Sequence, residues 1–251
     1  MNSRAQAMAD AIAHRGPDGS GIWADPNAGL ALAHRRLAVI DVTPTGAQPM
    51  ASADGRWVIT YNGEVYNAAE LARLPELAGK AYRGTSDTEI ILESIAERGV
   101  ERTLANLNGM FAFALWDRKE QVLHLVRDRL GIKPLFYTVE GGAVRFASEL
   151  KAMAAAAPCG PIDPASIASF FRFGYVPAPH TIYAGIRKLM PGEIISIDRG
   201  GRETRRAYWS LADVAQGTRV APFDMSDAEA IERLDGLLAD AVSGQMISDV
   251  P

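Results

Sequence analysis

Cysteine is almost absent: the 251-residue chain carries one, Cys159. A lone thiol excludes an internal disulfide framework and a multi-cysteine zinc site, and its setting, AAPCGP, reads as a loop in which an inert thiol is expected. Long apolar runs are missing too. GMFAFALW and AMAAAAP fall far short of the ~20 residues a membrane helix needs, and the N-terminus has no basic stretch leading into an apolar one. The expectation is a chain without membrane attachment, with the cytoplasm as its compartment. No basic stripe exists either: 26 Lys and Arg stand against 30 Asp and Glu, scattered along the chain for a net charge of −4, which argues against a nucleic-acid partner. No G-x-G-x-x-G follows a strand pattern and no Walker-type loop occurs, so no nucleotide site is expected. His14, in HRGPDG, has no second histidine or carboxylate at ligand spacing, so no metal is assigned.

What is present is nearly half apolar by composition, enough for a sizeable core. The pattern predicts a helix at 3–13 and short strands at 21–24, 29–33 and 36–41, with Arg36 at the start of the third. A strand over Trp57–Tyr61 is expected to end on Asn62 and Gly63. In SDTEIILESIAERG, Ser86 and Glu89 have capping-box spacing, apolar residues recur at helical intervals and Gly99 marks the exit. Asp87 falls in that helix's first turn. Hairpins are expected turning at 117–121 and on Gly141 and Gly142. Helices follow at 149–157 and after Asp163, where Pro164 suits the first helical position. GEIISIDRGGRETRRAYW is another hairpin. A strand meander with helices predicts an α+β fold rather than alternating βαβ units.

LADVAQGTRVAPFD reads as a linker, within 211–225. It is followed by a helix opening on the capping pair Ser226 and Glu229, whose stripe of Ile231, Leu234, Leu237, Leu238, Ala241 and Val242 needs something to pack on. A first domain over 1–210, the linker, and over 226–251 the first helix of a second domain is the expected organisation.

Asn-Gly is also a common hairpin turn. On a rigid strand, however, an amide side chain followed by a glycine N–H can aim two donors at an oxyanion. The glycine would let a substrate carbonyl approach the backbone. Arg36 could clamp a carboxylate by two parallel hydrogen bonds, though alone a solvated surface arginine is the plainer reading. Asp87 alone would simply complement a helix dipole.

Taken in order, HRGPDGSG, HRRLAVIDVTPTGAQPM, YNGEVYN, SDTEIILESI, NGMFAFALWD, RDRLGIKPLFY, ASELKA and MISDVP resemble the glutamine-hydrolysing asparagine synthetases, over nearly the whole chain. The resemblance implies a class II glutamine amidotransferase (glutaminase) domain. It implies an N-terminal-nucleophile hydrolase fold, a four-layer αββα sandwich of two antiparallel sheets between helices. It also implies roles: Arg36 for the α-carboxylate of glutamine, Asp87 assisted by Glu64 for its ammonium, and Asn62 with the Gly63 N–H as oxyanion hole. The nucleophile of that family is an N-terminal cysteine on a Cys-Gly-Ile-type first strand. This chain is expected to start after that strand, to stop before the pyrophosphate loop of the synthetase domain, and to be inactive alone. No cofactor is expected within it. ATP and Mg²⁺ would belong to the synthetase domain, where ammonia would amidate aspartate, the default acceptor. A homodimer is a further expectation. The alternative is a non-catalytic glutaminase-like domain, as in β-lactam synthetases.

Overall fold

The computed structural model describes residues 1–220 and 224–250. The chain opens with α1 (Asn2–Ala11) and the hairpin β1 (Gly19–Asp25) and β2 (Leu30–Arg36). An irregular loop leads to β3 (Met50–Ala51) and β4 (Trp57–Val65), then α2 (Ala68–Ala72), α3 (Asp87–Arg98) and α4 (Val100–Asn106). Next come the hairpins β5 (Gly109–Asp117) with β6 (Val122–Arg127) and β7 (Phe136–Glu140) with β8 (Ala143–Ala147). After α5 (Leu150–Ala156), α6 (Pro164–Phe173) and β9 (Arg187–Lys188), a hairpin of β10 (Glu193–Ile197) and β11 (Glu203–Ala207) precedes α7 (Leu211–Val220) and α8 (Asp227–Gln245).

Alternation along β4 and β5 sends successive side chains to opposite faces, and both faces are covered. The six-stranded antiparallel sheet, in order β11-β10-β6-β5-β4-β3, lays Ile59, Tyr61, Phe111, Phe113 and Leu115 against Ile91, Leu92 and Ile95 of α3 and Leu104 of α4. Its other face offers Val58, Ala112, Ala114, Leu125 and Ile195 to Leu32 of β2, Tyr137 of β7 and Leu189. Each large side chain buried this way contributes roughly 1.5–3 kcal/mol. Helices α1 and α5 pack on each other and on the outer side of β2 and β8. The order helix, sheet, sheet, helix is the one expected. The second sheet layer, however, is in two pieces: β1-β2, and β8-β7-β9.

Three expectations need correction. No strand covers 36–41. Arg36 is the last residue of β2, because its guanidinium gathers the carbonyls of Ile40, Asp41 and Thr43 and Asp41 turns the chain at φ +54°. Nor does a strand end at Asn62 and Gly63: β4 continues to Val65, paired in register with Gly109, so Asn-Gly lies within a ladder. In α3 the Ser86 hydroxyl caps Thr88 N–H, but the Glu89 carboxylate accepts from Arg83 and Gly84 instead of closing a capping box. The reciprocal box does form at Ser226 and Glu229 of α8.

The segment 211–225 begins with α7; residues 221–223 lie outside those described. The α8 stripe is open to solvent, with Ile231 69% and Val242 59% exposed. Among the described residues no helix is long and apolar enough to cross a membrane.

Candidate active site

The edge of β4 beyond β3 organises the site. Even-numbered β4 positions bond to β5, as Arg118 N–H to Arg56 O and Tyr66 N–H to Asn108 O at the two ends of the ladder establish. Odd-numbered positions therefore aim their N–H groups the other way. β3 is only two residues long, so side chains take over as acceptors. Tyr61 N–H donates to Gln48 Oε1 at 2.7 Å and Val65 N–H to Asp87 Oδ2 at 2.9 Å. Between them, Gly63 N–H points to the same open edge.

A Cβ on Gly63 would sit 2.2 Å from Met110 O and 2.7 Å from Phe111 Cα. The close approach that demands glycine is thus the neighbouring strand, rather than a substrate carbonyl as the sequence suggested. Asn62, one position earlier, turns its side chain to the inner face between the sheets. Its Nδ2 is buried without a hydrogen-bond partner. A buried amide donor left unpaired is costly and marks where an acceptor would be welcome.

Asp87 is the first residue of α3 and is 7% exposed. Its Oδ2 takes both the Val65 N–H and, at 2.7 Å, the Tyr61 hydroxyl. Burial pushes its carboxyl above the ordinary value, while these hydrogen bonds hold the rise back. Glu64 is also raised, first by burial and then by the Asp87 charge, with Lys133 opposing. Two destabilised carboxylates at one place favour a cation between them. Lys133 arrives on a loop that Asp128 shapes by accepting the N–H groups of Phe111, Leu130, Ile132 and Lys133.

Arg36 closes the opposite side. Its Nη1 donates to Thr43 O at 2.8 Å and its Nη2 to Ile40 O and Asp41 O. The structure thereby ties the arginine to its own loop by its terminal nitrogens.

Arg36, Asn62, Gly63, Glu64 and Asp87 all line one cavity of about 200 Å³. The sequence reading missed others around it: Gln48, Tyr61, Lys133, His34 and Arg15. Tyr61 adjoins the motif in sequence and could have been read from it; nothing in the pattern flags Gln48, which acts only through β3 being short. Burial, with Arg36 adding, lowers the His34 pKa from 6.5 to about 4, so its ring is neutral at pH 7.

A second cavity, about 740 Å³, lies between β2 and β8 under α1 and α5. Among the described residues β2 pairs only with β1, and β8 only with β7, so two strand edges without a ladder partner flank it. The cavities meet at Arg15, His34, Arg35, Tyr61 and Asn62, which line both. Cys159, half-buried between α5 and α6, lines neither.

Comparison with known proteins agrees with this architecture. Residues 1–209 match the family described as glutamine amidotransferase domain. Asparagine synthetase [glutamine-hydrolyzing] 3 of Bacillus subtilis is 37% identical over 248 residues, covering 97% of this chain and 38% of that protein. A putative asparagine synthetase [glutamine-hydrolyzing] 2 of Methanocaldococcus jannaschii is 35% identical, covering 97% and 49%. The chain thus spans between about two-fifths and half the length of these relatives. Among solved structures, the glutamine phosphoribosylpyrophosphate amidotransferase from B. subtilis superposes with a TM-score of 0.61 at 22% identity, covering 83% of this chain and 47% of that one; at that identity the likeness concerns the fold alone. Four layers, a β4 edge lined with donors and a family match over most of the chain lead to one assignment: the chain belongs to the glutamine amidotransferase domain family, class II.

Proposed function

We propose that the smaller cavity binds L-glutamine and that the domain releases ammonia from its side-chain amide once an extended strand carrying an N-terminal cysteine fills the gap between β2 and β8. The observation that carries this reading is the orphaned Asn62 Nδ2, buried where the two cavities meet. Arg36 holds the α-carboxylate, while Asp87 and Glu64 hold the ammonium. The cysteine thiol attacks the amide carbon, its proton passes through the terminal amine to the departing nitrogen, and ammonia leaves. Water then cleaves the thioester to glutamate. Asn62 Nδ2 and Gly63 N–H bear the oxyanion in both halves, where charge builds and preorganised donors count most. Ammonia then serves an ATP- and Mg²⁺-dependent synthetase domain of the same polypeptide, with aspartate as the acceptor.

The test is ammonia release by protein carrying a Cys-Gly-Ile-type N-terminal strand. Glutamine-dependent release that is lost on changing that cysteine to alanine supports the reading. A folded, strand-bearing protein that releases none overturns it in favour of a non-catalytic glutaminase-like domain. The loop carbonyls take Nη1 and Nη2 of Arg36, but a guanidinium carries five N–H donors, so donors remain for the α-carboxylate.

A further inference from the structure

The loop after β2 is held from far along the chain. Asp249 Oδ2 accepts the Asp41 N–H at 2.7 Å, and Asp249 N–H donates to Val39 O at 2.9 Å. Together they form a two-bond clasp, the bond to Asp41 spanning 208 positions of the chain.

Asp41 is the hub it grips. It is 3% exposed and sits at φ +54°, a left-handed conformation that a residue with a side chain keeps only when its surroundings enforce it. Its carboxylate accepts from Thr43 N–H, from the hydroxyls of Thr43 and Thr45, and from Thr85 N–H. Its carbonyl accepts from Arg36 Nη2. One residue thus joins the C-terminal segment on its N–H side to the Arg36 guanidinium on its carbonyl side. Val39 and Ile40, on the same loop, line the smaller cavity.

We propose that Asp249 is a positioning residue for the glutamine pocket. By clasping Val39 and Asp41 it fixes the carbonyls that seat Arg36, so the segment after α8 sets how firmly the pocket holds an α-carboxylate. This rests on the glutamine reading above. The consequence is directional. Releasing the clasp loosens residues 39–41, although Thr43, Thr45 and Thr85 still hold the Asp41 carboxylate; the guanidinium's seat softens, and ligand binding must then supply the ordering that Asp249 now provides. Whatever follows Asp249 in a longer polypeptide can therefore act on the glutamine site by pulling this one residue away.

The experiment compares the chain with Asp249→Ala and Asp249→Asn, reading amide exchange at residues 39–43 and calorimetric titration with L-glutamine. Alanine removes the side-chain acceptor and should speed exchange at Asp41 and weaken glutamine binding, each roughly three- to tenfold, as loss of one hydrogen bond does. Asparagine keeps an acceptor oxygen and should restore both toward the parent values. Unchanged exchange in Asp249→Ala overturns the clasp. Faster exchange with unchanged glutamine affinity overturns its role in positioning Arg36. If the unsubstituted chain binds no glutamine, the pocket reading fails and this proposal with it; equal binding by parent and variant overturns the Asp249 proposal alone.

Discussion

The Tyr61 hydroxyl donates to Asp87 Oδ2 at 2.7 Å inside the helix-facing core, joining β4 to the first turn of α3. Burial pushes the phenol well above its ordinary range, and the neighbouring Asp87 charge adds to the rise by opposing a second anion. The phenol in turn is one of two donors on that oxygen.

Removing it should be felt in stability. Tyr61→Phe leaves Oδ2 with the Val65 N–H alone, and a buried carboxylate short of one donor costs roughly 1.5–3 kcal/mol. Urea denaturation at pH 7 should show a lower midpoint with an unchanged slope. A midpoint within error of the parent would mean that the Tyr61–Asp87 hydrogen bond adds no net stability.

Acid should weaken the fold from pH 6.5 downward, earlier than carboxylates alone would bring about. Burial holds His34 and His124 at a pKa of about 4, below the ordinary 6.5. Between these values the unfolded chain takes up protons that the folded chain refuses, so each drop in pH favours unfolding. The stability is fully present above pH 6.5 and is lost by about pH 4, up to about 3 kcal/mol per histidine. Chemical denaturation across that range should show the decline, and His124→Gln should make it shallower. A flat profile between pH 6.5 and 5 would refute the assignment.

Arg36 and Asn62 should fail differently in strand-bearing protein. On the proposed role, Arg36→Ala loses a carboxylate grip used in ground and transition states alike, so KM rises while kcat changes little. As the proposed oxyanion donor, Asn62 meets charge that develops only in the transition state, so Asn62→Ala should drop kcat roughly 10²–10³-fold with KM nearly constant. Steady-state ammonia release separates the two; identical kinetics in either variant would remove that residue from the site.

Gly63→Ala should damage the fold before it damages chemistry. Its Cβ has no space against Met110 O and Phe111 Cα, and backbone cannot rotate aside as a side chain can. Thermal unfolding should show a loss of about 3 kcal/mol, with amide exchange accelerated along β5. A variant as stable as the parent would mean that β4 and β5 part at no cost.

Much of this was legible in sequence because it is local. Gly141 and Gly142 take positive φ between β7 and β8, and Asp163 with Pro164 starts α6, as the residue types imply. The candidate residues Arg36, Asn62, Gly63, Glu64 and Asp87 do converge on one cavity. What escaped depends on distant partners. LAVID is apolar enough for a strand, but an arginine, a threonine cluster and Asp249 hold it as a loop. Asn-Gly carries turn chemistry, yet nine residues of ladder with β5 keep it extended. No alternation or spacing announces Gln48, whose work is to accept the Tyr61 N–H from the neighbouring strand.

The divided second sheet has a further consequence, for association. An open strand at the rim of a sheet can be extended copy upon copy, the route by which sheet proteins polymerise. The free edges of β2 and β8 are not at a rim: they face one cavity, roofed by α1 and α5 and floored by β4 and β5. Another folded molecule cannot bring its own sheet there. Only a slender extended segment can thread in, and in pairing with both sides it leaves nothing to template a second. The hunger of these edges is thus selective by shape, saturates at one guest, and turns what is ordinarily an aggregation hazard into a socket.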